Sequence, residues 1–265
     1  MTSTRRDALN YFVVSAVAMM AMVPSRVWAV VINANAIADF NSGNWRAAAD
    51  QASRSRDPDN LAFAARSLLA SALLSPSSRN RNSDISQARQ FAEAALITEP
   101  LHIEGRLQLA TALGLQARTG SPTRAFAAGL PQRVRRLLDS VVRDAPSQAW
   151  AHALLGGWHL EGLRIGGAAA RAMLGVNLEV GKVSFARAMR LDSNVAATPF
   201  YYAASLLALS PTSHVTDVRA LLVRAQNAPV RDAFQAEVKA RAAALIVALD
   251  TKGPAVAATM ALGWL

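Results

Sequence analysis

The chain has 265 residues, 52% apolar and 17% charged, a balance that excludes an intrinsically disordered protein. Its formal charge of +10 rests on 25 Arg against three Lys, but these are scattered rather than gathered into a block, so no nucleic-acid-binding tract is indicated. There is no Cys, which rules out disulfides, thiolate zinc sites and a cysteine nucleophile.

The first residues read as an address. Arg5-Arg6 precede an apolar run from Tyr11 to Val23, followed by Pro24-Ser25-Arg26-Val27-Trp28-Ala29. A basic head, an apolar middle and a small residue before a cut are the parts of a secretory signal peptide. Residues 1–29 are therefore expected to be a leader cleaved after Ala29, and residues 30–265 the mature domain, delivered to the periplasm. The run of 13 residues is short of the roughly 20 that span a bilayer, and an uncleaved anchor is the competing reading. Thr4–Leu9 is similar to a twin-arginine signal, although Ala8 and Asn10 depart from its usual Phe and Lys, so the Sec and twin-arginine routes both stay open. Loss of the leader leaves +8, because Arg5, Arg6 and Arg26 outnumber Asp7 by two.

Ala dominates the remainder and alternating β-branched runs are scarce, so the expected class is all-α. Ile37–Phe40 begins the fold. Gly43-Asn44-Trp45-Arg46-Ala47-Ala48 is a tight turn between helices, with Gly permitting the bend and Trp45 plugging the pair. That helix stops at Asp57-Pro58, and its successor covers Leu61–Leu74. A polar loop, Ser75–Ser83, leads to the helix Asp84–Glu99, where Ile85, Ala88, Phe91, Ala92, Ala95 and Leu96 recur on one face. Pro100 cannot continue that helix. The next helix spans Ile103–Ala117, a loop covers Thr119–Gly129, and the helix Leu130–Asp144 closes at Pro146.

Asp57-Pro58, Glu99-Pro100 and Ala145-Pro146 are equivalent stops, with Asp192-Ser193-Asn194 standing in for a fourth; the steps between them are 42, 46 and 47 residues. An acid-Pro stop before a helix carrying Leu107-Gln108-Leu109-Ala110, with the Gly-Asn-Trp turn, resembles the tetratricopeptide (TPR) repeat. The resemblance implies a right-handed α-solenoid of about five TPR-like helix pairs, with Ala255–Leu265 as a C-terminal capping helix. A TPR repeats every 34 residues or so, and the excess is assigned to longer loops within each pair. HEAT-like units match the period but lack the turn and the stop.

Trp150–Glu161 is expected to be a helix crossed closely at Gly156, followed by a glycine-rich insertion, Gly162–Val180, and a returning helix, Gly181–Leu191. His152–Trp158 and Phe185–Ala188 are similar to the regulator of microtubule dynamics family and its bacterial relatives. Those share His-x-Leu-Leu-Gly-x-Trp, a long insertion and a Phe-x-x-Ala helix. Pro199–Leu209 and Thr216–Gln226 form the fifth pair. Arg231–Leu249 follows, with Ala233, Phe234, Val238, Ala242 and Leu245 inward.

Catalytic signals are thin. His152 and His159 are seven residues apart, without the four-residue spacing of a helical metal pair. Gly156-Gly157, Gly162, Gly166-Gly167 and Gly175 lack the Gly-Lys-Ser/Thr of a phosphate loop, and no Gly-x-Ser-x-Gly elbow occurs. The expected function is a non-enzymatic scaffold without cofactor or metal, binding a protein or peptide and touching membrane only through an uncleaved leader. In a TPR array the first helix of each pair lines the concave face, which implies a partner surface of Arg66, Leu69, Glu104, Gln108, Trp150, His159 and Arg164. Its Arg residues favour acidic or C-terminal carboxylate ligands. The second class is an accessory subunit of a solute transporter that binds small organic acids, gated by the glycine-rich insertion. The third is a metal-dependent hydrolase using His159 and Glu161.

Overall fold

The computed structural model describes residues 32–265; the expected leader lies outside them. The described residues form thirteen α-helices and no strand. The first seven are α1 (Ala34–Ser42), α2 (Trp45–Ala52), α3 (Pro58–Leu74), α4 (Arg81–Thr98), α5 (Ile103–Thr119), α6 (Pro122–Ala127) and α7 (Leu130–Asp144). They are followed by α8 (Ala149–Leu174), α9 (Leu178–Leu191), α10 (Ala197–Leu209), α11 (Val215–Asn227), α12 (Ala233–Thr251) and α13 (Pro254–Trp264). No helix among the described residues is long and apolar enough to cross a membrane.

Local chemistry sets the boundaries. Gly43 terminates α1 in the left-handed region at φ 90°, and the main-chain N–H groups of the cap return to the Asp39 and Phe40 carbonyls. Pro58 opens α3 at a position where its missing N–H costs nothing, while the Asp57 carboxylate accepts from the Asp59 N–H at 2.9 Å. Asn177 caps α9 in the same way, its side chain accepting from Glu179 and Val180.

Helices adjacent in the chain pack against one another, and so do α3 with α5, α8 with α10, and α10 with α13. This places α3, α5 and α10 inside, where they bury residues on nearly every face, while α4, α7 and α11 bury a single stripe. Two large apolar clusters result. One joins α1–α5, α7 and the start of α8, and the other joins α8–α13; Trp45, Trp150 and Phe234 pack against both. The succession then bends back, so that α12 touches α1 and α3.

Polar clamps fix the layers. The buried Asp84 carboxylate on α4 accepts from Arg46 of α2 at 2.9 Å and from the Ser71 hydroxyl of α3 at 2.9 Å. Arg106, buried on α5, donates to Asp144 (2.6 Å) and Ser140 (3.0 Å) of α7 and to the Leu101 carbonyl (2.7 Å).

Two stretches depart from the sequence expectation. The loop expected at Thr119–Gly129 contains α6, started by Ser121, whose hydroxyl accepts from the Arg124 N–H, with Pro122 in the first turn. The insertion expected at Gly162–Val180 is helical as far as Leu174: α8 passes through Gly162 and Gly166 and kinks only at Gly167 (φ 50°, ψ −127°). Ala168-Ala169-Ala170 and the residues after them are strong helix formers, which restores the helix beyond the kink.

Candidate functional site

A cavity of about 410 Å³ opens between α5, α8 and α10, with α6 and α7 along one side. Its origin is the side-chain size on two facing helices. The lining of α5 includes Ala110, Gly114 and Ala117, and that of α8 includes Ala153, Gly157, Gly162, Gly166 and Ala169. Ala110, Gly114 and Ala117 recur at three- and four-residue steps on α5, as do Ala153 and Gly157 on α8, so at these positions small side chains face the gap and do not meet across it. A Cβ added at Gly114 would touch nothing within 4 Å, and one at Gly157 would only reach Phe185 at 3.9 Å. Trp150, Trp158, Phe126 and Tyr201 complete the wall.

Other glycines of this region serve the opposite purpose, Gly162 and Gly166 among them, where an added Cβ would lie 2.6 Å from Val176 and 2.7 Å from Ala170. A Cβ at Gly156 would lie 2.5 Å from the Phe185 ring, and one at Gly181 would lie 2.3 Å from Leu160. There α8 and α9 cross in direct contact, as the sequence suggested for Gly156.

One charged pair interrupts the apolar wall. Arg118 of α5 and Glu161 of α8 both line the cavity, their charged groups 3.5 Å apart. Glu161 is already engaged: Arg164, one turn further along α8, donates to both of its oxygens at 2.7 and 2.9 Å. Burial alone would raise the Glu161 carboxyl, but the Arg164 hydrogen bonds and the charges of Arg118 and Arg164 outweigh it and hold the group below its usual range. Burial lowers the Arg118 guanidinium, Glu161 opposes that, and Arg164 and Arg81 add to it. Arg118 makes no hydrogen bond among the described residues. The wall thus carries Arg118 and Glu161, with Arg164 bound to the carboxylate from outside the lining, a cluster with an excess of one positive charge beside apolar surface.

Tyr201 adds a second polar oddity. Its hydroxyl is buried without a hydrogen-bond partner among the described residues. Burial pushes the phenol up to about 12, against the opposing charges of Arg241 and Arg118. The ring packs edge-on against Trp150, 6.2 Å between centroids.

The seven residues expected on a partner surface do not assemble in one place. Trp150 alone among them lines the cavity, and Arg164 reaches it through Glu161. Leu69, Gln108 and His159 are enclosed, with 2%, 4% and 2% of their surface exposed, and present nothing to a partner. Glu104 accepts from Gln108 at 2.8 Å, and Arg66 lies exposed with its guanidinium 5.1 Å from the Phe40 ring.

His159 has a structural task. Its Nδ1 accepts from the Asn177 N–H at 3.1 Å, which tethers α9 to α8 and leaves the proton of the neutral ring on Nε2. That nitrogen faces the Arg135 guanidinium. Burial first, and then the Arg135 charge, lower His159 to about 4, with Asp139 opposing. His152 sits two turns away, roughly 10 Å along the axis, and bonds the Pro146 carbonyl. The described residues contain no group of three or more His, Asp or Glu side chains able to hold a metal ion.

Three cavity residues carry no mark in the sequence: Arg118 is one Arg of 25, and Tyr201 and Phe126 read as packing. The signal present was Ala110, Gly114 and Ala117 at helical spacing along α5. No family model matches the chain, and no curated protein matches it.

Proposed function

We propose that the chain is a non-enzymatic binding module that takes up an apolar molecule with one anionic head, a medium-chain fatty acid or a comparable organic acid, in the cavity between α5, α8 and α10. The observation that carries this is the wall composition: apolar surface around about 410 Å³, with one net positive charge in the cluster of Arg118, Glu161 and Arg164. Pockets of several hundred Å³ with few polar groups bury most of a small ligand, and those groups fix its orientation. A carboxylate beside Arg118 would receive a charge-assisted hydrogen bond in a site largely shielded from water.

Of the classes left open by the sequence, this favours the organic-acid binder over the peptide scaffold, since three of the expected contact residues are enclosed. The successive packed pairs α3/α4, α5/α7, α8/α9 and α10/α11 support reading the fold as a TPR-like α-solenoid. Export to the periplasm remains the proposal made from the leader.

The experiment is a thermal-shift and Trp-fluorescence titration with octanoate, decanoate and dodecanoate, alongside alcohols of equal length and peptides ending in Leu or Phe. Fatty acids should raise the melting temperature more than the alcohols do, and Arg118→Ala should weaken acid binding tenfold or more while leaving the alcohols unchanged. Stabilisation by peptides alone would return the chain to the scaffold class. No response to any acid sinks the proposal.

A further inference from the structure

The mouth of the cavity has a composition that the ligand does not require. Phe126 on α6 and Ile165 and Met173 on α8 line the cavity, yet they are 38%, 49% and 64% exposed, so their outer surfaces meet water at its rim. Other large apolar side chains are exposed elsewhere, but these three converge on one opening.

The stretches of chain from which this rim is drawn, residues 105–138 and 162–178, contain no Asp or Glu, although Glu161 lines the cavity beside them. They carry Arg106, Arg118, Arg124, Arg133, Arg135, Arg136, Arg164 and Arg171. Some are neutralised by carboxylates from outside: Arg106 by Asp144, Arg133 by Glu93, Arg135 by Asp139, Arg164 by Glu161. Arg124 on α6 and Arg171 on α8 are exposed and have no carboxylate within ion-pair distance among the described residues. Each lies within two residues of an exposed apolar side chain, Phe126 or Met173.

We infer that the rim formed by α6 and the end of α8 docks on an anionic lipid surface, with Phe126, Ile165 and Met173 entering the headgroup region and Arg124 and Arg171 meeting lipid phosphates. Apolar side chains flanked by Arg on helical segments are what interfacial binding demands. A protein partner of acidic surface would be served by the Arg residues but not by isolated apolar tips around an open hole. Placed this way, the cavity opens towards the phase in which an amphipathic acid dissolves. The surface is independent of what the cavity holds, and it is tested separately.

The test is co-sedimentation of the full chain with vesicles of phosphatidylcholine alone and of phosphatidylcholine with phosphatidylglycerol. All variants keep the first 29 residues, so only differences between variants are read. Binding to the anionic vesicles is expected, falling at least tenfold in high salt, in Arg124→Glu/Arg171→Glu and in Phe126→Asp/Met173→Asp. The Arg124→Glu/Arg171→Glu variant should still bind decanoate in vesicle-free solution, which separates loss of the surface from loss of the cavity. Binding to the anionic vesicles that is indifferent to both double substitutions overturns the inference. So does capture of a poly-glutamate resin without vesicle binding.

Discussion

Arg241 on α12 donates through its two terminal guanidinium nitrogens to the main-chain carbonyls of Leu73 and Leu74, the last residues of α3, 168 and 167 positions earlier in the chain. Its Nε turns to Glu237 at 3.3 Å, and its plane lies 5.4 Å from the centroid of the Trp264 ring. A helix end leaves carbonyls without partners, and a cation there is favoured by both hydrogen bonding and the helix dipole. The buried guanidinium therefore caps a helix in another part of the chain.

Arg241→Ala should accordingly cost about 2–4 kcal/mol in urea unfolding, since it strips two buried carbonyls of their donor. Arg241→Lys keeps the charge but cannot serve both carbonyls with a planar fork, and should recover less than half of the loss. Trp264 fluorescence should shift to the red in both. A change below about 0.5 kcal/mol for the Ala variant would show that the contact is dispensable.

Gly114 and Gly156 should respond in opposite senses to the same substitution. Gly156→Ala drives a methyl into the Phe185 ring, an overpacking that typically costs 1–3 kcal/mol or about that range. Gly114→Ala meets open space and gains helix propensity of up to about 1 kcal/mol. Gly114→Leu should fold and abolish decanoate binding by occupying the cavity. Thermal melts of the three variants, with and without decanoate, decide the matter; a destabilised Gly114→Ala would mean that the space is not there.

His159 makes stability sensitive to mild acid. Its folded-state value, about 4, lies below the ordinary 6.5, so the unfolded chain binds the extra proton first. The contribution is complete above about 6.5 and is lost as the pH falls towards 4, by roughly 1–3 kcal/mol. His159→Gln, whose carbonyl can still accept from Asn177, should flatten the fall in melting temperature between neutral pH and mild acid. An unchanged pH profile in that variant would refute the assignment.

Tyr201→Phe removes a hydroxyl that has no partner among the described residues, so stability should hold or rise by up to about 1 kcal/mol. A loss beyond about 1 kcal/mol in urea melts would reveal a partner for that oxygen.

Much of the helical framework was legible because stops and caps are local. Asp57-Pro58 reads as a helix start from two residues, and the stripe Ile85, Ala88, Ala92, Ala95 is buried as its spacing requires. The end of α8 was not legible, because Gly162, Gly166 and Gly167 together read as a break, while only Gly167 leaves the helical region. Ser121-Pro122 did announce α6, but six residues among turn formers are easily absorbed into a loop. The cavity lay beyond reach for a different reason. Glycine at 156 admits a neighbour and glycine at 114 leaves a gap, and which of the two occurs depends on a helix that is remote in sequence. Arg118 shares that limit: its value comes from Glu161 being committed to Arg164, a relation among three side chains on two helices.

Because Arg241 stitches α12 to the end of α3, the helices make a circuit rather than a line. A linear stack can fray from one end while the rest persists. In a circuit, loosening α12 withdraws the donor from Leu73 and Leu74, so amide exchange in the last turn of α3 and in the middle of α12 should quicken together, far apart in sequence though they are.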